Sequence, residues 1–336
     1  MNIQRYDKIT VLLLLLYIAG LSVASQPTTL NVFDSNGMYY AFNMTNGEVI
    51  MKQQIPFPSK LSALYGIVRT RIGDDYLLYG GNITQAGQSY IPIIWTYNIQ
   101  SNTLVEKSSI NKRFEQLDYS WDLQIASYDS LNNIVYLNAE APTGHPMLLK
   151  FDFNQHIEDL IELPGTGSYV QSSYNESTHT CYLGGQNDAP NSWGQMVIVT
   201  YESLTGDMTS RTLTLDTVSN QCYYRTTMYL YNSKYFAGLQ PANGDCSSYI
   251  LELDMFSNTT NILATIPQPN NYAYDDIMPF IFDEINGYIT MVSFGQDGLN
   301  LEICSVNLDN YGVSQYSISA SQLPDIQFYA FLMTTS

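Results

Sequence analysis

The segment Tyr201–Ser210 reads YESLTGDMTS and sets the pattern for the whole chain. An apolar strand ends at Glu202, a Thr-Gly pair supplies a turn, and a second strand follows, which predicts a β-hairpin. The same arrangement occurs six times, and the polar residue that ends the first strand recurs at intervals of 55, 54, 50, 52 and 53 positions. These six polar residues are Asn43, Asn98, Asp152, Glu202, Asp254 and Asn307.

A second set of residues has the same period. Aromatic residues open apolar runs at intervals of 56, 48, 55, 50 and 54 positions, at Tyr65, Trp121, Tyr169, Tyr224, Tyr274 and Phe328. Between the two sets lies a further apolar strand, preceded by Asp, Asn or Gly turn formers, as in YLLYGG from Tyr76 and YFAGL from Tyr235. Each unit is therefore predicted to contain four short strands, and no amphipathic helix is expected.

Four antiparallel strands per unit at this period are typical of a β-propeller. We therefore predict an all-β chain with a single six-bladed propeller over residues 26–336. The repeat starts in mid-unit, at TLNVFD before Asn43, and the segment Gln327–Met333 (QFYAFLM) supplies the missing first strand. Such pairing would close the ring and remove its open strand edges. A seven-bladed ring and two β-sandwich domains of three units each are the alternatives.

The chain resembles the β-propeller superfamily over its whole length after residue 25. Two units are similar to kelch repeats: Gly80-Gly81 is followed by Trp95 and Tyr97, and Gly184-Gly185 is followed by Tyr201. The other four units lack the double glycine. The resemblance implies the fold, but it implies no activity because propellers host unrelated functions.

Residues 1–25 are predicted to be a secretory signal peptide. Arg5 and Lys8 precede the apolar run Val11–Ile18, and small residues place cleavage after Ala24 or Ser25. A retained signal anchor is the alternative, but the apolar stretch is shorter than the roughly 20 residues that cross a bilayer. We therefore expect a protein that is secreted or extracellular, or that resides in the lumen of the secretory-lysosomal pathway.

Export makes two kinds of residue chemically relevant. Four Asn-x-Ser/Thr sequons become potential glycosylation sites, at Asn43, Asn82, Asn175 and Asn258. The chain has 4 cysteines, none in a C-x-x-C pair, which argues against zinc or redox chemistry. We predict a Cys222–Cys246 disulfide, whereas Cys181 and Cys304 fit either a second disulfide or two buried thiols.

Composition restricts the possible partners. Charged residues make up 13% of the chain, and 31 acidic residues against 13 basic ones give a net charge of −18. Nucleic acids and anionic membranes call for clusters of Lys and Arg, so neither is an expected partner. The 45% of hydrophobic residues and the 28 tyrosines provide a large core.

Candidate site residues follow from the propeller prediction, because ligands usually bind at one mouth of the central channel. The residues around the aromatic positions that start the innermost strands are Trp121, Asp122, Arg225, Tyr274 and Asp275, which we predict to bind a ligand. Asp122, Asp275 and Asp276 are the catalytic candidates, since paired carboxylates can act as acid and base in glycoside hydrolysis. Alternatively, these aspartates accept hydrogen bonds from turns.

Other catalytic signatures are not apparent. His145, His156 and His179 fall in predicted loops without the neighbours of a nucleophilic triad or a zinc site. No cofactor or metal is expected. The leading hypothesis is a monomeric, non-enzymatic binding module for a protein or glycan. The alternatives are a carbohydrate-active hydrolase or lyase, and a structural component of an extracellular matrix or coat.

Overall fold

The computed structural model describes residues 26–34, 37–57, 63–72, 75–83, 90–109, 126–140, 145–155, 157–164, 169–186, 194–215, 218, 224–241, 246–266, 280–284, 286–294, 300–319 and 330–335. These ranges contain 24 strands in six four-stranded antiparallel sheets, which form the six blades of a propeller. The predicted all-β, six-bladed fold is confirmed. Within the same ranges, no helix has the length and apolar character needed to cross a bilayer.

Blades 1 to 3 contain the first eleven strands and the last one. Blade 1 comprises β1 (Thr29–Asp34), β2 (Met38–Asn43), β3 (Val49–Gln54) and β24 (Ala330–Thr335). Blade 2 comprises β4 (Ala63–Ile72), β5 (Asp75–Ile83), β6 (Tyr90–Asn98) and β7 (Thr103–Ser109). Blade 3 comprises β8 (Ala126–Asp129), β9 (Ile134–Glu140), β10 (Pro146–Asp152) and β11 (Ile157–Glu162).

Blades 4 to 6 follow in strict chain order. Blade 4 comprises β12 (Tyr169–Asn175), β13 (Thr180–Gln186), β14 (Gln195–Glu202) and β15 (Met208–Thr214). Blade 5 comprises β16 (Tyr224–Tyr231), β17 (Lys234–Pro241), β18 (Ser248–Asp254) and β19 (Thr259–Ile266). Blade 6 comprises β20 (Phe280–Asp283), β21 (Tyr288–Phe294), β22 (Asn300–Asn307) and β23 (Val313–Ser319).

The ring is closed by the C-terminal strand, as predicted. β24 pairs antiparallel with β1, from Thr29 opposite Thr335 to Asp34 opposite Ala330. The paired segment starts at Ala330, whereas the sequence pattern placed the strand at 327–333, and residues 327–329 lie outside the described residues. Blade 1 is therefore built from both ends of the repeat array.

Hydrophobic cores lie between the blades rather than inside one central layer. In β2, Tyr39 and Ala41 pack against blade 2, whereas Tyr40 and Phe42 pack against blade 6. Successive side chains of a strand point to opposite faces, so a strand sandwiched between two neighbours is apolar throughout. Similar clusters join blade 3 to 4, 4 to 5 and 5 to 6. This packing accounts for the low share of charged residues.

The polar residues that revealed the repeat end the third strand of every blade. Five of them accept backbone N–H groups of the following turn, as Asn43 does from Thr45 at 2.9 Å and Asp254 does from Phe256 at 2.8 Å. Glu202 differs, since its carboxylate accepts the Thr205 hydroxyl at 3.1 Å. Short polar side chains in this position satisfy the turn locally, which explains their recurrence.

A glycine in the second strand lets the next blade approach closely. A Cβ atom on Gly184 would lie 3.0 Å from the Cβ of Met228 on β16, and one on Gly238 would lie 2.5 Å from the ring of Phe280 on β20. Gly184 belongs to the kelch-like pair GG, but Gly238 stands alone in FAGL and occupies the equivalent position in blade 5. The requirement is therefore for one glycine, which a search for double glycines misses.

The structure gives the redox state of three of the four cysteines. Cys181 and Cys304 are buried thiols, and burial raises the pKa of Cys304 to about 11. Cys246 is disulfide-bonded. Cys222 lies outside the described residues, so its pairing with Cys246 stays a prediction.

Candidate functional site

The order of the strands gives the ring two different faces. One face of the ring holds the turns that join the first strand of a blade to the second and the third strand to the fourth. We call it the hairpin face. Because neighbouring strands are antiparallel, all six innermost strands start at the opposite face, which we call the mouth face. These strands, β24, β4, β8, β12, β16 and β20, are the inner edges of their sheets, and neighbouring strands among them contact one another, as β12 does with β8 and with β16.

One predicted ligand-binding residue, Arg225, lies at the mouth face. Arg225 is the second residue of β16 and pairs with Gln240 on β17, which places it at the start of an innermost strand, as its neighbour Tyr224 predicted. Trp121, Asp122, Tyr274 and Asp275 lie outside the described residues, as does Asp276.

The most connected polar group of the hairpin face lies between blades 3 and 4, and we call it the Asp129 cluster (Asp129, Tyr174, His179 and Ser203). Asp129 ends β8 and is completely buried. Its carboxylate accepts the Tyr174 hydroxyl at 2.7 Å, and from Asn132 it accepts the backbone N–H at 3.1 Å and the side-chain amide at 2.6 Å. The buried charge is thus held by three donors, as a buried carboxylate requires.

The rest of the Asp129 cluster does not activate a nucleophile. The Ser203 hydroxyl donates to the His179 carbonyl at 3.0 Å and lies 3.1 Å from the Tyr174 hydroxyl, so its hydrogen bonds in this cluster are not to the imidazole of His179. Burial raises the pKa of Tyr174. The hydrogen bond with Ser203 lowers this pKa and the hydrogen bond with Asp129 raises it, so the net shift is upward. The phenol therefore stays protonated at neutral pH and serves as a donor. The arrangement ties the β8–β9 turn to blade 4, which is a structural task.

Sequence reasoning missed this cluster, although a signal was present. The segment YDSLNN, starting at Tyr128, has a counterpart in FDEING, starting at Phe282. In the second copy Asp283 accepts the backbone N–H of Asn286 at 3.1 Å and its side-chain amide at 2.8 Å. The D-x-x-N spacing therefore marks the turn between the first and second strands in blades 3 and 6.

A charged group joins blades 5 and 6. Lys234 Nζ lies 3.0 Å from Glu252 Oε1 and donates to the Tyr311 hydroxyl at 2.5 Å, while Tyr311 donates to the same Glu252 oxygen at 2.7 Å. Partial burial opposes ionisation of Glu252, but the hydrogen bonds from Tyr311 and Lys234 outweigh it and lower its pKa. Lys234 is half exposed, so the group is an interblade contact of modest strength.

The four sequons occupy different environments. Asn43 and Asn175 end strands, and the Oδ1 of each accepts the N–H and the hydroxyl of the Thr or Ser two residues later. Asn82 lies within β5, opposite Ile91 of β6. Asn258 is exposed at the tip of the β18–β19 hairpin with a φ of 61°, two residues after the fully exposed Phe256.

Metal coordination has no support in the part of the chain that the structure describes, where no three His, Cys, Asp or Glu side chains are grouped to hold an ion.

Comparison with known proteins identifies the fold alone. No protein-family model matches the chain, and no curated protein is significantly similar to it in sequence. Among solved structures, TolB of Acinetobacter baumannii is similar with a TM-score of 0.56 and 11% identity, over 91% of this chain and 66% of the TolB chain. A chain of the nidogen–laminin complex is similar with a TM-score of 0.53 and 8% identity, over 92% of this chain and 98% of that one. The present chain thus spans about two thirds of TolB.

Proposed function

We propose that this protein is an exported, non-enzymatic binding module that holds a protein or glycan partner at the mouth face. The observation that carries the proposal is the convergence of six innermost strand starts on one face of a closed ring. These starts come from all six blades, so the residues at or just before them are drawn from the whole ring. Propeller ligands typically bind at such a position.

The residues near these starts suit a polar partner with an exposed apolar surface. Arg225 lies at the start of β16, Asp122 precedes Ala126 of β8 by four residues, and Asp276 precedes Phe280 of β20 by four residues. Trp121 and Tyr274 accompany the two acidic positions. Aromatic rings with adjacent carboxylates recognise sugars and cationic side chains through stacking and charge-assisted hydrogen bonds.

The scaffold supports binding without rearrangement. The innermost strand β16 contributes buried residues to the cluster shared with blade 4 and to the cluster shared with blade 6, and β24 completes blade 1 by pairing with β1. A preorganised site loses less conformational entropy on binding. The similar chain in the nidogen–laminin complex belongs to a protein–protein assembly, which is compatible with this use of the fold.

The test begins with secreted protein, applied to a glycan array and to crosslinking capture from extracellular fluid. Arg225→Ala, Asp122→Asn and Asp275→Asn should each weaken binding at least tenfold if these residues contact the partner. The matched control is Asp207→Asn, which makes the same chemical change at an exposed position on the hairpin face. Equal loss in the control, or no loss in any mouth variant, would reject the mouth-face site.

Activity assays separate binding from catalysis. The wild-type protein is incubated with polysaccharides and chromogenic glycosides, with Asp275→Asn and Asp276→Asn as controls. Binding without turnover supports the proposal. Turnover that either Asn variant abolishes would replace it with a hydrolase or lyase, since one carboxylic acid and one carboxylate are needed for glycoside cleavage.

A further inference from the structure

We infer that Asn258 carries an N-linked glycan whose first sugar packs on the ring of Phe256. The inference rests on the proposed export, because the glycan donor is found in the secretory lumen. It assigns one of the four sequons a defined contact with the folded protein. Phe256 is fully exposed at the hairpin tip. Both apolar faces of its phenyl ring are therefore in contact with solvent rather than with protein.

The turn is held in a fixed conformation. Asp254 accepts the N–H groups of Phe256 at 2.8 Å and Ser257 at 3.1 Å, and the Asn258 N–H donates to the Asp254 carbonyl at 3.0 Å. From blade 4, the Arg211 guanidinium donates to the Met255 carbonyl at 2.6 Å. The tip is therefore ordered, and its aromatic ring is presented outward.

Asn258 is well placed for modification. Its side chain is exposed, and the residue has a positive φ of 61°, which Asn tolerates better than most residues. Phe256 precedes it by two residues, so their Cα atoms are within about 7 Å. A sugar attached at Nδ2 is thus within reach of the ring, and the C–H groups of one pyranose face complement the electron-rich face of an aromatic ring.

The modification is a balanced group transfer. The donor is an oligosaccharide linked to a polyprenyl pyrophosphate, and the membrane-bound oligosaccharyltransferase of the secretory route is the catalyst. The Nδ2–C1 bond forms, the bond between C1 and the pyrophosphate oxygen breaks, the amide loses one proton, and the lipid pyrophosphate leaves. No oxidant or reductant is involved.

The first measurement is site occupancy. The chain is produced in eukaryotic secretory cells with its own leader and, separately, with a heterologous secretion signal, and glycopeptides are analysed by mass spectrometry. A glycan at Asn258 with either leader supports the inference. A chain that reaches the lumen and is glycosylated at Asn43 or Asn175 but not at Asn258 overturns it. Glycosylation only with the heterologous signal shows that the turn is a competent acceptor, but it rejects the proposed export and, with it, the inference that the natural protein carries this glycan.

The second measurement concerns the contact. Enzymatic trimming to a single N-acetylglucosamine should preserve the Tm, while Asn258→Gln should lower it by about 1 to 4 °C. In a Phe256→Ala background, Asn258→Gln should change the Tm by less than 1 °C. Leu204→Ala is the control, since Leu204 is an exposed residue of the β14–β15 hairpin without a sequon.

A spectroscopic signature completes the test. Stacking predicts upfield ring-current shifts of the first sugar's proton resonances, which Phe256→Ala removes and Leu204→Ala leaves unchanged. Sugar resonances at the positions of a free glycan in the wild-type protein, or an equal effect of Asn258→Gln in both backgrounds, would overturn the contact.

Discussion

Replacing Gly238 with alanine tests the close approach of blades 5 and 6. The added Cβ would lie 2.5 Å and 2.6 Å from two ring carbons of Phe280 and 2.6 Å from Thr227 Oγ1. Carbon atoms pack at about 3.5–4.0 Å, so the ring has to retreat by about 1 Å. Phe280 is completely buried, and little space is available for this movement.

The cost follows from two contributions. Overpacking of a buried site costs about 1–3 kcal/mol. Thr227 Oγ1 also accepts the Gly238 N–H at 3.2 Å and lies 3.4 Å from the Gly238 carbonyl, and disturbing such contacts costs about 1 kcal/mol. The sum is about 2–4 kcal/mol, which for a chain of this size lowers Tm by roughly 3 to 6 °C.

Thermal unfolding followed by circular dichroism measures the effect. Gly206→Ala is the control, because a Cβ there meets nothing within 4 Å while φ is +79°, and only backbone strain of about 1–2 kcal/mol is added. Phe280→Leu should relieve the clash, so Gly238→Ala should cost at least 1 kcal/mol less in that background. A Tm within 1 °C of wild type, or additive effects in the double variant, would refute the packing argument.

Three further predictions concern the polar cluster, the disulfide and pH. Tyr174→Phe removes a donor to the buried Asp129 carboxylate and should lower the free energy of unfolding by about 1–3 kcal/mol, measured by urea denaturation; an unchanged midpoint would contradict the role of the cluster. Cys246→Ser should lower stability by about 2–4 kcal/mol, and Cys222→Ser should match it, whereas a stable Cys222→Ser protein would reject the predicted pair. Stability should fall as pH rises above about 9, because burial raises the pKa of the Cys304 thiol to about 11 and raises the pKa values of three buried tyrosines, Tyr39, Tyr136 and Tyr174. These groups therefore ionise at lower pH in the unfolded chain than in the folded one, which favours unfolding. Absorbance at 295 nm should report tyrosine ionisation together with unfolding, and tyrosine ionisation in a ring that is still folded would contradict the prediction.

Most of the fold could be predicted because its signals are local. Asn43 and Asp254 each end a strand and accept a backbone N–H from the residue two positions later. The reason for a polar residue at these positions therefore lies within a single turn of the sequence. Tyr169 and Tyr224 are likewise local signals, because each is the first residue of an innermost strand, β12 or β16. A period of about 53 residues then specifies the number of blades.

Interblade features could not be predicted in the same way. The Asp129–Tyr174 hydrogen bond joins residues that are 45 positions apart, and the need for Gly238 arises from Phe280 in the next blade. Both depend on how blades stack, which the sequence of either blade does not contain. Among the candidate site residues, Arg225 lies at the start of an innermost strand as predicted. The other candidates lie outside the described residues.

Closure by β24 delays the completion of blade 1 until the last strand of the ring has been synthesised. Blades 2 to 6 can form as their hairpins are synthesised. The inner edge of β1 stays unpaired until β24 (Ala330–Thr335) has been synthesised. At about 5–20 residues per second, the delay between the two strands is roughly 15 to 60 s. During this interval the inner edge of β1 has unpaired backbone groups that are open to pairing with another chain. A chain that lacks Ala330–Thr335 would keep that edge open, so β24 distinguishes closed rings from open ones.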